Sequence, residues 1–143
     1  MNPEFEKLLA NGKILAFPRG EDLVKKELAV AQSDLSDAKA GFENQRYKWT
    51  TIQGYYAMFH AARSLIYSRN YREKSHYAIS VALKALFVEE GKLDIKYVRD
   101  LLNAMNLREA ADYEADFSRE GAEAVIQAAE RFIANAAIIL RQE

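Results

Sequence analysis

The stretch VKKELAVAQSDLSDAKAGF, residues 24–42, sets apolar side chains at Val24, Leu28, Ala31, Leu35, Ala38 and Phe42. Steps that alternate between four and three residues average 3.5, the spacing of a seam along one face of a long helix packed on another helix. Gly41 and Asn44 predict where that helix stops. Everything from Glu21 onward is free of proline, because the only two prolines are Pro3 and Pro18.

The same period continues downstream. A helix is predicted from near Tyr47 to Ser68, burying Ile52, Tyr55, Tyr56, Phe59, Ala62, Leu65 and Ile66. So wide an apolar face predicts a central place in the bundle. Ser75 is a candidate N-cap for a helix reaching Glu90 and stopped by Gly91. Another helix follows Asp94, with Ile95, Val98, Leu101, Leu102 and Met105 on one side, and a last one runs from Ser118 to about Leu140. Upstream, Glu4 to Ala10 predicts a short helix ended by Asn11-Gly12, then a loop through Pro18-Arg19-Gly20. No run alternates with period two, so no sheet is expected. The predicted fold is all-α, an up-and-down antiparallel bundle of four to six helices. Residues 1–20 form an N-terminal extension with a short helix and residues 21–143 the bundle domain.

Composition narrows the class. Hydrophobic residues make up 50% and charged residues 29% of 143, the balance of a globular domain with a sizeable core. With no cysteine there are no disulfides and no thiolate metal sites. No apolar run nears the roughly 20 residues that span a bilayer. The start, Met1-Asn2-Pro3-Glu4-Phe5, lacks the basic and apolar parts of a signal peptide, so a cytoplasmic protein with no membrane contact is expected. The net charge is −1, yet Arg63, Arg69, Arg72 and Lys74 face a single acid, Glu73, between residues 63 and 76. Such a patch can hold one phosphate; it cannot coat a long duplex.

Inside that patch lies Arg69-Asn70-Tyr71-Arg72-Glu73-Lys74-Ser75-His76. If Ser75 is the N-cap, His76 sits in the first turn of a helix, where the dipole disfavours the imidazolium by a few tenths to about 1 kcal/mol. A neutral imidazole near pH 7 can serve as a general base, and free N–H groups at a helix start seat phosphate. The catalytic candidates are Arg69, Asn70 and His76: His76 as base for an RNA 2′-hydroxyl, Arg69 to neutralise the attacked phosphate, Asn70 to orient either. The bland alternative is a capping histidine and arginines that solvate a loop. Arg63, Arg72, Lys74, Arg108 and Tyr113 are candidate phosphate-binding residues, the last two if the polar block Leu107 to Tyr113 folds back toward this turn. That block also reads as an ordinary solvated helix end. His60 reads as a hydrogen-bonded core or interface residue, with no second His or Cys at ligand spacing, so no metal site is expected. Tyr55 and Tyr56 could stack on bases, but their helical spacing favours core or dimer packing. Gly-rich phosphate loops are absent from the sequence.

Tyr55-Tyr56-Ala57-Met58-Phe59-His60-Ala61-Ala62-Arg63, then Lys74-Ser75-His76, then Leu107-Arg108 with Ala111-Asp112-Tyr113, resembles the HEPN domain (higher eukaryotes and prokaryotes nucleotide-binding), in its small stand-alone prokaryotic, toxin-like branch. The likeness runs from about Glu21 to Leu140. It implies a helical bundle that commonly dimerises. Active members carry arginine, a polar residue, and histidine four to six residues on; Arg69, Asn70 and His76 match as R-N-x5-H. The resemblance further implies a metal-independent ribonuclease site built from two such motifs across a homodimer, no cofactor, and a small nucleotidyltransferase antitoxin as partner. Some partners adenylylate a tyrosine two residues after the histidine; here that position is Ala78 and Tyr77 comes one residue early, a departure from the pattern. The alternative is a non-catalytic helical interaction module that binds a nucleotidyltransferase, a nucleotide or both. Arg69→Ala and His76→Ala are expected to abolish cleavage with the fold intact.

Overall fold

The computed structural model describes residues 2–143. Helix α3, Tyr47–Ser68, is the pillar of the bundle. Against it pack α2 (Gly20–Glu43), α5 (Ile95–Tyr113) and α6 (Arg119–Gln142). Helix α1 (Pro3–Ala10) and helix α4 (His76–Leu83) complete the all-α bundle. Of the α3 face read from the sequence, only Tyr56 is half-buried, and Tyr55, Met58, Leu65 and Ile66 are sealed from solvent. Burying each large apolar side chain contributes about 1.5–3 kcal/mol.

The seam on α2 is real but shallow. Ala31 and Ala38 are fully buried, Ala31 within the main core, whereas Leu28 and Leu35 are partly covered. Close approach is secured by two glycines. A Cβ on Gly20 would lie 2.4 Å from the Tyr67 carbonyl oxygen, and one on Gly54 would lie 2.7 Å from Val125 Cγ1. The first lets α2 start beside the end of α3, and the second lets α3 and α6 touch.

One expectation is corrected. A two-stranded antiparallel sheet is present: β1 (Ile14–Ala16) pairs with β2 (Tyr71–Glu73), with Ile14 opposite Glu73 and Ala16 opposite Tyr71. Phe17 N–H donates to Asn70 O at 2.7 Å and Lys74 N–H to Lys13 O at 2.9 Å, extending the pairing at both ends. Three-residue strands are too short to display a period of two, so nothing local announces them. The pairing arises because Ile14 is fully buried and because Phe5 and Leu8 of α1 join the main core, Phe5 meeting Tyr71 edge-on at 5.2 Å. Helix α1 and strand β1 thereby grip the turn between α3 and α4.

Helix α4 also departs from a uniform helix to Glu90. After Leu83 it widens into a π-helical turn, Lys84–Val88, and Gly91 at φ +75° ends it. Caps match the sequence elsewhere: Ser75 accepts from Ala78 N–H, Asp94 from Lys96 N–H and Ser118 from Gly121 N–H. Among the described residues no helix is long and apolar enough to cross a membrane.

Candidate functional site

The eight-residue turn divides into two environments. At its end, Ser75 takes an extended conformation and its hydroxyl accepts from Ala78 N–H at 3.1 Å, which starts α4 at His76. The imidazole lies among aromatic rings of α3, near parallel to Tyr55 at 5.7 Å and tilted on Phe59 at 5.1 Å. Its Nδ1 is hydrogen-bonded to the Tyr55 hydroxyl, a bond the sequence does not announce. The available signal is general: a buried tyrosine needs a partner for its hydroxyl.

Helix α5 runs on through the polar block to Tyr113 and brings Arg108 to the same aromatic group. The Arg108 guanidinium lies 5.3 Å from the Tyr56 ring and 6.0 Å from the Tyr55 ring. Its Nη2 donates to the Tyr56 hydroxyl at 2.8 Å and sits 3.4 Å from Asp112. Arg108 Nε is buried with no hydrogen-bond partner among the described residues. Tyr113 stacks its ring 5.3 Å from the same guanidinium while remaining largely exposed. Burial, and next the charge of Arg108, push the His76 pKa below its ordinary value of 6.5. Burial also raises the Tyr55 phenol, which stays protonated at any ordinary pH.

Beside His76 opens a cavity of about 260 Å³ lined by Phe59, Arg63, Arg72, Glu73, Lys74, Ser75 and His76. Its cations differ in availability. Arg63 is committed: its Nε and Nη2 donate to Glu73 at 3.1 and 2.5 Å, and Nη1 reaches Glu27 at 3.5 Å. Glu73 is buried, so this pair is a structural tie between α3 and β2. Arg72 stacks over Phe17 at 5.6 Å, and both it and Lys74 are exposed. Two larger surface clefts, about 460 and 500 Å³, contain no histidine.

Arg69 lies in the second environment. Its Nε donates to Glu143 at 2.6 Å, its Nη1 to the Leu86 carbonyl at 3.1 Å, and its Nη2 to Glu90 at 3.2 Å. The guanidinium also covers the Phe87 ring at 4.4 Å. Burial works against its charge, but Glu143 and Glu90 outweigh that and raise its pKa. Leu86 lies in the last turn of its helix, where carbonyls lose intrahelical partners, and Arg69 supplies one. Asn70 sits in the left-handed region at φ +61°; its side chain donates to Glu21 at 2.9 Å and accepts from Glu21 N–H at 3.3 Å, at the start of α2. Within this chain, then, His76 is brought together with Arg108 and Tyr113, while Arg69 and Asn70 are directed to other partners. His60, half-buried, bonds Glu27 through Nδ1 at 3.0 Å. Among the described residues no group of three or more His, Asp or Glu is placed to hold a metal ion.

The HEPN domain matches this chain over residues 24–139. The chain belongs to the HEPN family. A Methanocaldococcus jannaschii protein named as a candidate toxin is 36% identical over 107 residues, covering 74% of this chain and 80% of that protein. A second M. jannaschii protein, also named as a candidate toxin, is 22% identical over 112 residues, 77% of this chain and 76% of its own. A Gloeobacter violaceus protein named as a UPF0332 protein is 27% identical over 128 residues, 87% of this chain and 98% of its own. The HEPN match spans α2 to α6 almost entirely, so the His76 pocket and the Arg69 contacts to the C-terminal end of α4 both fall on the family's framework.

Proposed function

We propose that this HEPN protein is a metal-independent endoribonuclease of the toxin-like kind, cytoplasmic, acting as a homodimer with paired R-N-x5-H motifs. A small nucleotidyltransferase serves as its antitoxin. The substrate is single-stranded RNA. The 2′-oxygen attacks the adjacent phosphorus and the bond to the 5′-oxygen breaks, leaving a 2′,3′-cyclic phosphate and a 5′-hydroxyl. One proton leaves the 2′-oxygen for solvent and one arrives at the 5′-oxygen, so no water is consumed.

The observation that carries this reading is the convergence of His76 and Arg108 on Tyr55 and Tyr56, beside a cavity flanked by the exposed cations Arg72 and Lys74. An imidazole and a guanidinium held against the same pair of tyrosines in a partly desolvated pocket can stabilise charge on a phosphate far better than in water. The names of the two M. jannaschii relatives support the toxin reading. The test is incubation with mixed RNA in EDTA: wild-type protein yields cyclic-phosphate ends and His76→Ala yields none. Equal cutting by both proteins would sink the assignment.

One observation favours a second reading. Arg69 is engaged by Glu90, Glu143 and the Leu86 carbonyl, which is the behaviour of a structural residue in a non-catalytic module that binds a nucleotidyltransferase, a nucleotide or both. Capture of such a partner, with RNA left intact after long incubation, would establish that alternative.

A further inference from the structure

Tyr55 is only 1% exposed, and among the described residues its hydroxyl has one hydrogen-bond partner, His76 Nδ1. A buried hydroxyl that fails to donate its proton costs about 1–3 kcal/mol. Its other polar neighbour cannot take that proton: the Arg108 guanidinium only donates. The neighbouring Tyr56 hydroxyl serves Arg108 as acceptor. The phenol therefore donates to Nδ1, which must be the bare ring nitrogen. A neutral imidazole with Nδ1 bare carries its hydrogen on Nε2. Nε2 has no protein partner among the described residues, and His76 lines the cationic cavity.

We infer that Tyr55 is a positioning residue that locks His76 in the Nε2–H tautomer, so that His76 meets an RNA phosphate as a neutral hydrogen-bond donor and not as a general base. The ligand in this statement rests on the ribonuclease reading; the tautomer does not. A neutral imidazole at a helix N-terminus is a known way to polarise an oxygen without placing a full charge there. Here the ring sits at the first position of α4, and the charged groups around it are Arg63 from α3, Arg72 and Glu73 from β2, Lys74 just after it, and Arg108 and Glu109 from α5. Burial is the largest influence and the charge of Arg108 the next, and both keep the ring uncharged. The base role expected for His76 from sequence is thereby replaced: the one nitrogen that could accept a proton already accepts from Tyr55.

Nitrogen-15 spectra that correlate the ring nitrogens with the ring C–H protons read the tautomer directly. Wild-type His76 is expected to show Nε2–H and bare Nδ1 between about pH 6 and 8. In Tyr55→Phe, which keeps the ring and loses the hydroxyl, His76 becomes a mixture of tautomers and titrates at higher pH than in the wild type. An Nδ1–H pattern in the wild type overturns the lock, and so does an unchanged tautomer and titration in Tyr55→Phe. Adding a 2′-deoxy oligonucleotide, which cannot be cleaved, is expected to shift the Nε2 resonance. Measured binding with no such shift overturns the donor role. A wild-type protein that shows Nε2–H yet cuts no RNA removes the ribonuclease reading and leaves the tautomer assignment standing.

Discussion

The two ends of the turn from Arg69 to His76 use the same loop for opposite purposes. At the Arg69 end every strong donor is matched by a carboxylate or carbonyl, tying the end of α3 to the close of α4 and to Glu143 near the end of α6. At the His76 end, among the described residues, the ring has one committed nitrogen and one free, and the neighbouring Arg108 keeps a buried Nε without a partner. A saturated cluster contributes stability and resists ligands, whereas an unsaturated one costs stability and is available for binding. The comparison separates residues that hold this turn in place from residues that can act on something else.

The largest effect that would sharpen this contrast is catalytic. His76→Ala is expected to lower RNA cleavage by roughly 10²-fold or more, with a fall in stability of about 1–3 kcal/mol because the buried Tyr55 hydroxyl loses its partner. Arg108→Ala should weaken both cleavage and RNA binding, measured by rate and by fluorescence anisotropy. If Arg108→Ala cuts like the wild type, the pairing of His76 with Arg108 is only structural and the contrast breaks.

Next in size is Arg69. Its contacts replace the expectation that Arg69→Ala leaves the fold intact: losing three charged or backbone partners should cost about 1.5–3 kcal/mol, read by urea unfolding. Should Arg69→Ala unfold like the wild type and lose only cleavage, Arg69 belongs with His76 and the two ends are not different in kind. Asn70→Ala should cost about 1 kcal/mol, because alanine neither tolerates φ +61° nor caps α2.

The smallest effect is linked to pH. The folded protein holds His76 below its ordinary pKa of 6.5, so between those two values the unfolded chain binds more protons than the folded one. Stability therefore falls as pH drops through about 6.5 and levels off below the folded pKa. His76→Gln should flatten that slope in urea titrations; an equal slope in both proteins would place the imidazole in ordinary solvent.

Much of the framework was legible in the chain. The long helices declared themselves through 3.5-residue spacing, and Ser75, Asp94 and Ser118 marked their starts because capping is decided within four residues. The pocket was half legible. His76 at a helix start follows from Ser75, and Arg108 could be nominated only as one branch of an open choice about a polar block. Tyr55 read as core, which it is, and its hydroxyl's partner twenty-one residues away left no local trace.

Sequence by itself determined the helices, their apolar faces and the placement of a histidine at an N-terminus, since these depend on periodicity and on neighbours a few residues apart. Only the tertiary structure decided that β1 and β2 pair, that Arg69 faces Glu90 and Glu143, and that Arg108 and not Arg69 shares the aromatic group around His76. Those outcomes depend on which distant side chains arrive at the same place once α3 is buried, and such meetings carry no signature along the chain.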